Sequence, residues 1–137
     1  MQSVLRMSTR TLAGAAMAFT LVFTAACDDD DDPFVPIPSE LTIVSGDNQT
    51  ITASTASAPL TVTLLDQNDD PIAGRTVTWT VATGSGTLTS ATSVTNAQGV
   101  ATMVFTAGTT TGAATVTATV SGVAPVTFDI TVMPVTQ

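Results

Sequence analysis

The chain has 137 residues and carries eleven acidic side chains against three basic ones, a formal charge of −8 at pH 7. A chain this acidic cannot neutralise phosphates and release their counterions, which excludes nucleic acid as a partner. Its single cysteine excludes an internal disulfide framework, and the lack of histidine removes the side chain most often used as general base or metal ligand.

In chain order, Arg6 and Arg10 come first, an uncharged stretch runs from Thr11 to Thr24, and the small residues Ala25 and Ala26 lead to Cys27. A basic start, an apolar stretch of roughly 7–15 residues and a small-residue junction describe an export signal; a spanning helix needs about 20 apolar residues. The Thr24-Ala25-Ala26-Cys27 junction resembles a bacterial lipoprotein signal, with Thr24 standing where that family usually has leucine. The resemblance implies a signal peptide over 1–26, cleavage between Ala26 and Cys27, and acylation of the Cys27 thiol and its new amino group. Beyond Cys27 the only basic residue is Arg75, against all eleven acids, so the formal charge of that part is −10. Electrostatic attachment to anionic lipid is disfavoured, and the expected membrane contact is the N-terminal lipid alone.

Residues 27–39 read as a tether. Asp28 to Asp32 repel one another, and Pro33, Pro36 and Pro38 favour polyproline II, giving a stiff spacer on the order of 35 Å. Phe34, Val35 and Ile37 are more apolar than a pure spacer needs, so the end of this segment is expected along a domain edge. Aspartate beside a lipidated cysteine resembles an inner-membrane retention signal of some enteric bacteria, and an acidic run there resembles a surface-export signal of others. Outer membrane or cell surface is the favoured location.

From residue 40 to 137 the pattern has period two. Leu41 and Ile43 alternate with polar residues, as do Leu60, Val62 and Leu64, and then Val77, Trp79 and Val81. The runs Ala101-Met103-Phe105, Ala114-Val116-Ala118-Val120 and Val126-Phe128-Ile130-Val132 follow, with threonine at most intervening positions. Strict alternation with β-branched residues on the wet face predicts half-buried antiparallel strands. Turn formers separate the runs, among them Ser45 to Asn48, Asp66 to Pro71, Gly84-Ser85-Gly86, Asn96 to Gly99 and Ser121-Gly122. About seven short strands, with no helical spacing, predict an all-β antiparallel β-sandwich preceded by a signal peptide and an extended linker. Trp79, Phe105 and Phe128 share inward parity and are the expected structural core; an exposed Trp79 would instead serve as a sugar-stacking platform.

Pro59 to Asp66 followed by Asp70-Pro71-Ile72-Ala73-Gly74-Arg75-Thr76-Val77-Thr78-Trp79 resembles the bacterial immunoglobulin-like domain of group 1, the repeat of invasin and intimin stalks. Gly84 to Leu88, Thr95 to Ala101 and Gly112 to Ala118 agree with it, so the likeness covers roughly residues 40–133. It implies an immunoglobulin-like sandwich. Those proteins usually string several such domains together, whereas this sequence holds one.

Chemistry is sparse. A nucleophile with its base, a tuned carboxylate pair or a metal is what catalysis needs, and the chain beyond Cys27 has neither histidine nor lysine. Asp66, Asp69 and Asp70 cluster, but without the calcium-loop glycine and terminal glutamate; a solvated turn with Asp66 and Asn68 bonding their own backbone is the expectation. No catalytic residue, metal ligand set or cofactor is expected. The sequence reads as a lipid-anchored, non-catalytic envelope module with a structural or protein-interaction role; the alternative is a surface adhesin or ligand-binding receptor domain. The expected partners are the membrane, through the lipid, and an envelope or cell-surface protein.

Overall fold

A computed structural model describes residues 34–137; Ala26, Cys27 and the aspartate run lie outside the described residues. All ten elements of the described residues are strands: β1 (Pro38–Ser45), β2 (Gln49–Thr52), β3 (Leu60–Asp66), β4 (Thr76–Thr83), β5 (Gly86–Leu88), β6 (Thr92–Val94), β7 (Val100–Met103), β8 (Phe105–Ala107), β9 (Gly112–Thr119) and β10 (Val126–Met133). One sheet has the order β1-β3-β7, the second β2-β10-β9-β4-β6, and β5 and β8 form a two-stranded ribbon. β3 alternates fully buried with half-buried residues along its whole length, the signature of a strand whose one face is core.

The core forms where the inward residues of the sheets meet. Leu60, Val62 and Leu64 from β3 face Val77 and Trp79 from β4, Val116 from β9, and Phe128 and Ile130 from β10, all buried. The Trp79 ring is 2% exposed, Phe105 and Phe128 are fully buried, and the Trp79 and Phe128 rings lie 5.8 Å apart, tilted by 35°. Trp79 Nε1 donates to Ser93 Oγ on β6 at 2.8 Å, so the buried indole keeps a partner.

Three elements carry no alternation in the sequence. β2, β5 and β6 are three- or four-residue strands of mixed exposure. The run from Ala101 to Phe105, read as one strand, changes partners at Val104: β7 pairs with β3, while β8 pairs with β5. Inward parity survives the change, since Ala101, Met103, Phe105 and Ala107 are all buried. Pairing is antiparallel except at β2–β10, where Gln49 to Thr52 run parallel to Ile130 to Met133.

The chain enters and leaves at opposite ends. Pro38 pairs with Asp66 at the end holding the 66–75 and 95–99 loops, and Met133 pairs with Thr52 at the other. At the entry end Ile37 N donates to Gln67 Oε1 at 2.8 Å and Arg75 Nη2 to the Pro36 carbonyl at 3.3 Å. The last tether residues thus follow the domain through their backbone, while the Ile37 side chain stays exposed.

Candidate functional site

Two loops of the same construction shape the entry end. Asp66 Oδ1 accepts N–H bonds from Asn68 (2.7 Å) and Asp70 (3.0 Å), while Asp66 N bonds the Asp70 carbonyl and Asp69 N the Asp66 carbonyl. Asn68 enters as a backbone donor; the acceptor is the neighbouring carboxylate. Asn96 Oδ1 accepts from Gln98 (2.9 Å) and Val100 (3.0 Å), and its backbone closes the matching pair of bonds with Val100 and Gly99. Short polar side chains that bond their own backbone two residues on are what such turns require.

This geometry speaks to the acidic cluster. Asp66 is 2% exposed, and its Oδ1 accepts two backbone N–H groups. Asp69 and Asp70 are exposed. Among the described residues, no three carboxylate, thiol or imidazole side chains gather as metal ligands would.

A shallow groove of about 240 Å³ opens between the segment 89–93, which leads into β6, and the segment 102–104 around the end of β7. Thr89, Ser90, Thr92, Ser93 and Thr102 line it with hydroxyls, and Met103 and Val104 with apolar surface. Such hydroxyls offer hydrogen bonding. The outer face of the five-stranded sheet is similarly uncharged: Thr78 pairs with Thr119, Thr80 with Thr117 and Thr117 with Thr127, leaving Asp129 as its one charge on β10.

The sequence-assigned residues therefore divide. Trp79, Phe105 and Phe128 come together in the interior, whereas Ala26 and Cys27 lie outside the described residues. Nothing in the sequence pattern marks Asp47 or Gln49 beyond a turn. Asp47 Oδ1 accepts Asp129 N at 2.8 Å, and Gln49 bonds the Ala58 N–H and the Gly46 and Ala58 carbonyls. Asp47 reaches backbone 82 residues away, a role that no local spacing reveals, whereas Gln49 ties together the turn on either side of it, at Gly46 and Ala58.

Comparison with known proteins adds the family. The family model for invasin, domain 3, matches residues 38–135. The chain belongs to the invasin domain 3 family. Among solved structures, the Yersinia pseudotuberculosis adhesin InvE is 35% identical over 69% of this chain and 26% of its own, with a TM-score of 0.50. A C-terminal fragment of intimin, solved in complex with the intimin-binding domain of the translocated intimin receptor, is 26% identical over 66% of this chain and 33% of its own (TM-score 0.54). Domains 4 and 5 of the S-layer protein SbsC share 21% identity over 72% of this chain and 47% of that one, with a TM-score of 0.57, a likeness of fold alone. The chain thus spans less than half the length of each of these structures. No curated protein matches it. The invasin domain 3 fold is all-β, and the sandwich described above is an immunoglobulin-like domain of the invasin and intimin type.

Proposed function

We propose that the chain is a lipid-anchored, non-catalytic module of the bacterial cell envelope, acting in a structural or protein-interaction role. The observation that carries this reading is an invasin-type domain beginning at residue 38, so soon after the apolar stretch that ends at Cys27. Cleavage behind Ala26 and lipid on Cys27 would tie the domain to a membrane, with outer membrane or cell surface favoured over the inner membrane. Residues 27–39 serve as the spacer, its last two residues already part of β1, and 40–137 as the immunoglobulin-like domain. The non-catalytic role draws support from a composition without histidine or lysine and from the commitment of Asp66 to backbone.

A second reading, an adhesin or receptor domain, draws on the 35% identity to the adhesin InvE and on the receptor-bound intimin fragment. Tight recognition surfaces favour tryptophan, tyrosine and arginine. Here the one tryptophan is buried, tyrosine is absent and Arg75 is the only arginine of the described residues. The structural role is therefore preferred. Fractionation of cells expressing the wild type and Cys27→Ser, with protease added to intact cells, tests the location: the wild type should sediment with membranes and the variant should not. Crosslinking with the wild type as bait separates the roles; one stoichiometric partner on a neighbouring cell's surface favours adhesion, and none there supports the structural role.

A further inference from the structure

We propose that the parallel β2–β10 pair is a shear clamp that lets the domain carry tension between its two ends without unfolding. β2 belongs to the entering part of the chain and β10 to the leaving part, and Gln49 to Thr52 lie in unbroken register beside Ile130 to Met133. Because the two strands point the same way and the chain enters and leaves at opposite ends, pulling on the termini draws β2 toward the entry end and β10 toward the exit. The strands must then slide lengthwise. In a lengthwise slide every cross-strand bond is loaded at once, whereas peeling from one end breaks them in sequence.

Side-chain and backbone contacts extend the patch at both ends. Ahead of it, Asp47 Oδ1 accepts Asp129 N at 2.8 Å; beyond it, Ala53 N donates to the Met133 carbonyl at 2.8 Å. The turn feeding β2 is also fixed. Gly46 has φ +96°, a Cβ there would lie 2.5 Å from the Pro59 carbonyl oxygen, and Gln49 Nε2 holds the Gly46 carbonyl at 2.7 Å. β1 adds pairing with β3 farther up the chain, where two register shifts leave an unbroken run of four pairs from Glu40 to Ile43; the Asp47 bond to Asp129, which only the β2–β10 patch has, tells the two apart under load. Forced unfolding is governed by the unfolding barrier and not by equilibrium stability, which is the quantity a shear patch raises. The clamp stands on topology alone; only the presence of a load in the cell rests on the anchored reading above.

Single-molecule force spectroscopy of the full chain in two pulling geometries tests it. In the first, on protein made without export so that the Cys27 thiol is free, handles sit on Cys27 and on Gln137→Cys; in the second, a Cys27→Ser chain is held at Thr55→Cys and Gln137→Cys, both at the exit end, so the same bonds open one after another. Thr55 is exposed, so that handle leaves the core intact. The clamp requires a rupture force several-fold higher in the first geometry at equal pulling speed. It also requires Asp47→Ala to lower the force in the first geometry and leave it unchanged in the second. Equal rupture forces in the two geometries would overturn the proposal.

Discussion

Asp66 and Asn96 hold their loops by the same device, each accepting through Oδ1 the N–H groups two and four residues later. One loop follows β3 and the other precedes β7, strands that are neighbours in the same sheet. The backbone links the two loops, since Leu64 N donates to the Gly99 carbonyl at 2.8 Å and Ile72 N to the Leu64 carbonyl at 3.0 Å. What this device needs is an acceptor oxygen at the first position, not a charge. Asp66→Asn should therefore cost little in a urea melt, whereas Asp66→Ala leaves two N–H groups without their acceptor and should cost about 1–3 kcal/mol. Equal losses for the two substitutions would mean the carboxylate acts through its charge.

The fourth position of each loop takes a left-handed conformation, with φ +68° at Asp69 and +72° at Gly99. Only glycine adopts it freely, although aspartate is tolerated. Asp69→Gly should raise stability by a few tenths to about 1 kcal/mol. Gly99 has a second constraint, because a Cβ there would lie 2.6 Å from the Leu64 carbonyl oxygen. Gly99→Ala should thus destabilise by more than the roughly 1–2 kcal/mol of backbone strain alone. Thermal melts of the two variants should move in opposite directions.

Trp79 joins three strands, being in β4, hydrogen-bonded to Ser93 of β6 and against Phe128 of β10. Replacing it with alanine should cost about 3–5 kcal/mol, much of the 5–15 kcal/mol that a typical domain possesses. Trp79→Phe keeps most of the buried area but deprives Ser93 Oγ of its donor, and should fall between wild type and alanine. Tryptophan emission of the folded wild type should be blue-shifted and poorly quenched by iodide. A red maximum with ready quenching would place the ring in water and revive the sugar-stacking alternative.

Ser57 is buried where β8 lies against residues 55–57. Its Oγ accepts the Phe105 N–H at 3.1 Å and donates to the Ala58 carbonyl at 2.8 Å. Ser57→Ala would strand a buried backbone donor beside the core, at a cost of about 1–3 kcal/mol. Amide exchange at Phe105 should accelerate selectively. Unchanged exchange there would show that another acceptor replaces the hydroxyl.

What was legible in the sequence follows from where information is local. The alternation around Leu60, Val77, Ala114 and Val126 marks β3, β4, β9 and β10 because one face of each meets the core over seven or eight residues. β2, β5 and β6 lie too short and too near the edges to imprint such a pattern. The break at Val104 was invisible because a strand can change partners while its side chains keep alternating. The parallel β2–β10 pairing joins segments about 80 residues apart, and no local spacing encodes it. At the entry end, turn residues such as Asn96 and Gly99 announced a loop, but its likeness to the Asp66 loop required the bonds themselves.

Lipidation of Cys27 is tested most directly by intact mass analysis of the protein extracted from membranes. The chain should begin at Cys27, lack residues 1–26 and carry the added mass of fatty acyl groups on its N-terminal peptide, with Cys27→Ser losing both cleavage and label from metabolic palmitate. A mature chain cut elsewhere, or an N-terminal peptide without acyl mass, would contradict it.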